Sequence, residues 1–227
     1  MADATQPERA QARSILNNVL SQSSANRRRL LQKAMANPHV QPYLPKLASS
    51  LPNLKGAGGV DKLLDRLGRS GDDSNARGTI FEFMGGAALG SRLRSLSFDL
   101  RARGKSFECD GELKNGAVVS MKSVSVRKPK SVRSTVAKAR KQLIKRTKDG
   151  RPAMLVIGHE PGFKINSQWK EIAKRLGVPF SVMTVNHRTG EGRIVFSSDQ
   201  RRIQPRRAKR QLKKGHHRRS FHVRRHR

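Results

Sequence analysis

The chain has 227 residues, with 49 Lys and Arg against 16 Asp and Glu, and its formal net charge is +33. A charge of this sign attracts polyanions and makes their binding strongly salt-dependent. The single cysteine, Cys109, excludes an intrachain disulfide and a cysteine-cluster zinc site. No apolar run approaches the roughly 20 residues of a membrane-spanning helix, and the polar start lacks the apolar stretch of a signal peptide. DNA, RNA or an acidic protein remain as partners, and we expect nucleic acid without membrane insertion.

The first part of the chain predicts a small helical segment over residues 1–70, since apolar residues recur there at rough helical spacing between proline-rich breaks. This segment is interpreted equally well as an adaptor or as a helical cap on the main domain. A polar, glycine-containing stretch follows, and it predicts a linker over 71–77.

Residues 78–199 hold nearly all the strand-like sequence and predict an α/β domain with a mixed central sheet flanked by helices. The expected helices cover 80–93, 132–147 and 167–176, and the expected strands cover 96–101, 105–113, 117–124, 152–158, 180–185 and 193–197. Residues 200–227 contain thirteen Lys or Arg and no acid, so they predict a disordered basic tail that binds phosphates.

The hairpin between the second and third predicted strands decides which polar residues meet. A two-residue Asn-Gly turn pairs Asp110 with Met121 and places Lys122 on the opposite face from Asp110. A three-residue loop with Gly116 at a positive-φ bulge position pairs Asp110 with Ser120 instead. We predict the three-residue loop, because glycine occupies its third position and because Asp110 and Lys122 then share a face.

A carboxylate beside a lysine on adjacent strands suits phosphodiester hydrolysis. The carboxylate holds a hard divalent cation, and the cation lowers the pKa of a bound water. The lysine neutralises charge that builds on the phosphate oxygens. One carboxylate holds Mg²⁺ poorly, and Glu82 is the candidate for the second, because it is the only acid in its apolar helix. The alternative for Glu82 is a structural ion pair with Arg77 or Arg92.

Glu82, Asp110 and the run Ser120-Met121-Lys122 together resemble the core of PD-(D/E)XK nucleases, as does the predicted order of helix, three strands, helix and strand. Ser120 stands where that family commonly has an acid. This variant is similar to the nuclease toxins of contact-dependent growth inhibition and related polymorphic toxin systems. The resemblance covers about residues 77–198.

The resemblance implies a restriction-endonuclease-like fold and a metal-dependent endonuclease that prefers DNA over RNA. Glu82 and Asp110 would be metal ligands, Ser120 a weaker contributor and Lys122 the catalytic lysine. The implied metal is Mg²⁺, with Mn²⁺ or Zn²⁺ as alternatives, and Glu108 or Glu112 is an alternative source of the missing charge. It further implies a toxin or effector acting in a cytoplasm or nucleoid-type compartment, delivered from another cell, and a cognate immunity protein.

Basic residues on and before the helix over 132–147, and in the tail, are predicted to follow the nucleic-acid backbone without reading its sequence. They are Lys128, Lys130, Arg133, Lys138, Lys141, Lys145, Arg206, Arg207, Lys209 and Arg210. Two other interpretations stay open: a non-catalytic ribosome-, RNA- or genome-associated binding protein, and a packaged phage-type protein. Cys109 is expected in the core as a buried thiol, and His159 and His187 are expected near strand ends.

Overall fold

A computed structural model describes residues 4–102, 105–124, 129–147, 149–160 and 169–198 of the chain. Within these ranges, no helix is both long enough and apolar enough to cross a membrane. The expected basic tail lies outside the described residues, so its predicted disorder stays a prediction.

Four α-helices form the amino-terminal segment. They are α1 (Gln6–Ser21), α2 (Ala25–Ala36), α3 (Leu44–Ser50) and α4 (Val60–Gly68). Local sequence sets their starts: Thr5 and Glu8 form a capping box at α1, and the Ser24 side chain accepts the Arg27 N–H at α2. In α4 the apolar residues fall at helical spacing on one buried face, which holds this short helix against its neighbours.

The helix α5 (Asp73–Leu89) begins inside the segment for which the sequence predicts a linker. Asp72 is its N-cap, and the Asp72 carboxylate accepts the Asn75 N–H at 2.7 Å. The linker prediction is therefore wrong for residues 73–77, because the polar residues there cap and start a helix. One continuous hydrophobic cluster runs from α1 to the sheet, so the helical segment and the sheet share a core.

Among the residues that the structure describes, six strands form one mixed sheet, in the order of the chain. The first three strands and the last two are antiparallel, whereas the third, fourth and fifth run parallel. Two helices, α6 (Pro129–Arg146) and α7 (Trp169–Leu176), follow the third and fourth strands. The strands are β1 (Leu93–Ala102), β2 (Lys105–Leu113), β3 (Val118–Ser123), β4 (Ala153–His159), β5 (Phe180–Asn186) and β6 (Gly192–Ser197). The predicted α/β class with a mixed sheet is confirmed.

Helices cover both faces of the sheet. Val119 and Met121 of β3 pack in the cluster that contains α5, whereas Val118 and Val124 pack in the cluster that contains α6 and α7. This alternation follows from the two-residue period of a strand. The central strand β4 is buried over six of its seven residues, as expected for a parallel strand between two helical layers.

The register of the β2–β3 hairpin agrees with the three-residue loop. Gly111 pairs with Val119 and Glu112 with Val118, which places Asp110 opposite Ser120. Gly116 has φ 80°, and its N–H donates to the Leu113 carbonyl at 2.9 Å. Since only glycine adopts this conformation without steric cost, the loop sequence sets the register of the hairpin.

Candidate active site

Asp110 is the centre of the candidate site. Its Oδ2 accepts hydrogen bonds from the Met121 N–H at 2.6 Å, from the Ser120 hydroxyl at 3.3 Å and from the Lys122 ammonium at 3.3 Å. Counted from the hairpin loop, the backbone pairing of β2 with β3 reaches Gly111 and Val119 and so stops one residue short of Asp110. The carboxylate thus takes the place of a backbone partner for β3, and the three donors fix its orientation.

Glu82 lies on α5 with its side chain 17% exposed. Burial, and then the negative charge of Asp110, raise the pKa of Glu82 from its ordinary value of 4.5 to about 7, although Arg66 and Lys122 act to lower it. The charges that act on Glu82 therefore include those of Asp110, Arg66 and Lys122. Asp110, Ser120 and Lys122 are thus in direct contact, and Glu82 is coupled to Asp110 and Lys122 through charge. Together these four residues are called the carboxylate cluster.

Arg66 of α4 also belongs to this cluster, and sequence reasoning missed it. Its Nη1 donates to both Glu82 oxygens, at 3.1 and 3.2 Å, and its Nη2 donates to the Ser97 hydroxyl at 3.1 Å and to the Glu108 carboxylate. The ion-pair alternative for Glu82 thus holds in kind, but the partner is Arg66 and not Arg77 or Arg92. No signal in the sequence joins α4 to α5 at this point.

Glu108 and Glu112, the alternative acids, have different surroundings. Glu108 accepts from Arg66 and from the Ser97 hydroxyl at 3.0 Å. Partial burial acts to raise the pKa of Glu108, but Ser97, Arg66 and nearby Lys62 lower it below its ordinary value. Glu112 pairs with arginines outside the cluster, Arg94 at 3.5 Å and Arg151 at 3.4 Å. Of the two, Glu108 is the one linked to the site.

The backbone at Ser97 is strained beside the same cluster. Ser97 has φ 44°, a left-handed conformation that non-glycine residues adopt at a cost. It lies on β1 between the pairs Leu96–Gly111 and Phe98–Cys109, and hence opposite Asp110. In this conformation its hydroxyl bridges Arg66 and Glu108. Strain of this kind concentrates at functional sites.

Arg146 approaches Asp110 from α6. Its Nη1 lies 4.0 Å from Asp110 Oδ1, and its Nη2 donates to the Glu108 backbone carbonyl. Arg146 is buried, yet its Nη1 has no hydrogen-bond partner among the described residues, and the same is true of Gln142 Oε1 one helical turn earlier. The sequence carries a signal for this residue, because Arg146 continues the spacing of the buried residues Ala139 and Leu143.

The donor set suits a hard divalent cation in part. Glu82 and Asp110 supply carboxylate oxygens, and Mg²⁺ commonly binds one or two carboxylates while water and substrate phosphate complete its shell. Burial is the main cause of the raised pKa of Glu82, and a cation beside the carboxylate would favour its ionised form. Among the described residues, no group of three or more His, Cys, Asp or Glu side chains could hold a metal ion. Protein ligands alone would therefore not saturate a metal here.

A separate polar chain joins the carboxyl ends of the parallel strands. His187 Nε2 lies 3.2 Å from the Ser123 hydroxyl, and His187 Nδ1 lies 3.3 Å from Glu160 Oε1. The ring is buried edge-on against Phe81, and burial lowers the pKa of His187 although Glu160 acts to raise it. His187 thus lies near strand ends as expected. It reaches Ser123 instead of the carboxylate cluster.

The remaining predicted residues divide by what the structure describes. Lys138, Lys141 and Lys145 are exposed on one face of α6, opposite its buried residues. Cys109 is fully buried, and burial raises the pKa of its thiol to about 11, so the core-thiol prediction is confirmed. Lys130 and Arg133 belong to α6, and their side chains lie outside the described part. Residues wholly outside it are Lys128, Arg206, Arg207, Lys209 and Arg210.

No protein-family model, curated protein or solved structure matches the chain.

Proposed function

We propose that this protein is a metal-dependent endonuclease that hydrolyses phosphodiester bonds, preferentially in DNA, on a restriction-endonuclease-like PD-(D/E)XK core. The observation that carries the proposal is the convergence of Glu82, Asp110 and Lys122 from α5, β2 and β3. The order α5, β1, β2, β3, α6, β4 supports it, since it is the order that the resemblance implies. The net charge of +33 suits a polyanionic substrate.

Each side chain has a chemical task in this proposal. Mg²⁺ held by Glu82 and Asp110 would polarise the scissile phosphate and lower the pKa of a bound water. Lys122, held by Asp110 Oδ2, places a positive charge where phosphate oxygens gain negative charge. Ser120 and the Met121 N–H bind Oδ2 of Asp110 and so orient Oδ1. The exposed lysines of α6 bind the phosphate backbone of the nucleic acid without selecting a base sequence.

The first test is cleavage of plasmid DNA and of total RNA with Mg²⁺, Mn²⁺ or Zn²⁺. Asp110→Asn and Lys122→Ala are each expected to lower the rate by about 10²–10³ while nucleic acid remains bound. Asp61→Asn and Lys174→Ala are the controls, since Asp61 pairs with Arg27 and Lys174 lies on α7. Absence of cleavage by the parent, or full activity of both site variants, would refute the nuclease proposal.

The toxin role is proposed from the resemblance alone. Its test is expression inside a bacterial cytoplasm: the parent should arrest growth and degrade the chromosome, and Asp110→Asn should do neither. Unimpaired growth with intact parent protein present would contradict it.

A non-catalytic nucleic-acid-binding protein remains the second candidate, and the lysine face of α6 favours it as strongly as it favours a nuclease. The two candidates differ at Asp110. A binding protein gains phosphate affinity when Asp110 becomes Asn, because one negative charge is removed, and it shows no metal-dependent cutting at any point.

A further inference from the structure

A polar cavity of about 420 Å³ lies between α4 and α5 and opens onto the candidate site. Glu82 is part of its wall, and so are two guanidinium groups, Arg66 and Arg69. Ser70 and Asn75 add hydroxyl and amide groups to the same wall. The volume falls in the range of about 300–1,000 Å³ that small-ligand sites occupy, and every residue of the wall is polar, charged or glycine.

The charges on the wall favour an anion close to Glu82. Arg66 pairs with the Glu82 carboxylate at 3.1 Å and keeps a side chain that is 35% exposed. Arg69 is 66% exposed and pairs with Asp65 one turn earlier on α4. An exposed pair of this kind contributes little stability, so Arg69 can exchange its partner at small cost. Guanidinium groups bind phosphate oxygens through two parallel hydrogen bonds, which a lysine cannot do.

We propose that this cavity binds one phosphate-bearing nucleotide of the substrate strand, beside the bond to be cut, with Arg69 on its phosphate and the positive charge of Arg66 close by. The inference rests on the proposed nuclease function for its substrate. It gives the amino-terminal helices a task, because α4 then forms a wall of the active site. The interpretation of that segment as a part of the site replaces the choice between an adaptor and a cap.

Gly78 offers a way to close the cavity without altering its charge. It lines the cavity from α5, and a Cβ added there would meet no atom within 4 Å. Gly78→Leu therefore places a side chain into open space, where a nucleotide is proposed to lie. Gly78→Ala removes the same glycine but adds only one methyl group, so it controls for the change of helix propensity.

The test measures binding of a fluorescent, 5′-phosphorylated thymidine dinucleotide to the full chain by anisotropy, in EDTA and over a range of salt concentrations. Arg69→Ala and Gly78→Leu are expected to weaken binding about ten-fold, as for loss of a hydrogen bond to a charged group. Arg69→Ala should also reduce the slope of log K against log salt by about 0.7, the value for one contact to a single strand. Arg175→Ala is the matched control, since Arg175 forms the equivalent pair with Glu171 on α7.

The two proposals fail separately. Equal affinity of Arg69→Ala and Arg175→Ala, or equal affinity of Gly78→Leu and Gly78→Ala, overturns the cavity proposal even if the parent cuts DNA. The expected binding pattern in a parent that never cuts overturns the nuclease and leaves the cavity as a nucleotide site. Thermal unfolding of each variant identifies any that fails to fold. If Gly78→Leu fails to fold, the cavity proposal is tested by Arg69→Ala, which alters an exposed side chain.

Discussion

Replacing Glu82 by Gln is expected to stabilise the folded chain at alkaline pH while removing a proposed metal ligand. Burial and the charge of Asp110 raise the pKa of Glu82 from 4.5 to about 7. The folded state therefore binds more protons than the unfolded state between these two pH values. Stability that this group contributes is fully present below pH 4.5 and is lost as the pH rises through 7. Gln has no charge to lose, so the variant should not show this decline.

The magnitude follows from the size of the shift. A pKa difference of this size between the folded and unfolded states corresponds to a loss of about 3 kcal/mol of folding stability above pH 7. Most of this loss develops between about pH 5 and pH 8. Arg66 retains a carbonyl acceptor on Gln at position 82, so the hydrogen bond at 3.1 Å has a replacement. The raised pKa of Glu82 already includes the attraction of Arg66, so loss of the ion pair is not subtracted again, and a net stabilisation of about 3 kcal/mol at pH 8 is expected.

The assay is urea unfolding of the parent and Glu82→Gln at pH 5 and pH 8, without divalent cations. Every other titrating group is common to both proteins, so the difference between their unfolding free energies reports Glu82 together with its charge coupling to Asp110. The unfolding free energy of Glu82→Gln should rise relative to that of the parent on going from pH 5 to pH 8. Parallel pH profiles would show that Glu82 is not a strained, poorly solvated acid, and the charge reasoning at this site would fail.

Three further outcomes follow from the same contacts. At pH 8, millimolar Mg²⁺ should raise the melting temperature of the parent but not of Asp110→Asn, and an equal shift in both places the ion elsewhere. Arg146→Lys should retain the fold but lower kcat by about 10² with KM little changed. The reason is that the buried guanidinium lies 4.0 Å from Asp110, where in the proposed reaction it would stabilise the charge that develops on the phosphate. A change in KM alone refutes that role. Gly158→Ala should destabilise by about 1–3 kcal/mol, because its Cβ would come within 2.2 Å of His187 Nε2, whereas Gly78→Ala should stabilise by about 0.5–1 kcal/mol. Unfolding free energies that rank these two glycine variants in the opposite order contradict the packing around His187.

Local chemistry explains which parts of the fold the sequence could predict. Gly116 fixes the hairpin loop within a few residues, and the loop fixes the register that carries Asp110 to Ser120. The prediction of where α5 starts was wrong because Asp72 and its polar neighbours suit a turn as well as a helix cap. A capping interaction is recognised only when the following residues are already known to be helical.

The candidate site divides along the same line. Asp110, Ser120 and Lys122 lie on two neighbouring strands, so the hairpin loop and strand alternation are enough to predict that they meet. Glu82 is proposed as the second carboxylate because it is the only acid in its predicted apolar helix, and the resemblance implies the same role. Arg66 could not be found in this way, because it reaches Glu82 through the packing of α4 on α5. Arg146 lay within reach, since an arginine on the buried stripe of a helix demands a partner.

Substitutions of Ser120 test whether the proposed site binds a single metal ion with modest affinity. Ser120 is fully buried, and its hydroxyl donates to Asp110 at 3.3 Å. Ser120→Asp would add a third carboxylate beside Glu82 and Asp110, and without metal the mutual repulsion should cost about 1–3 kcal/mol of stability at pH 8. With Mg²⁺ the same charge should become an extra ligand, so calorimetry should show binding about ten-fold tighter. Ser120→Ala, which removes the hydroxyl without adding charge, is the control. If Mg²⁺ binds both variants equally, position 120 lies outside the coordination shell of the proposed metal, and the serine there has no bearing on metal affinity.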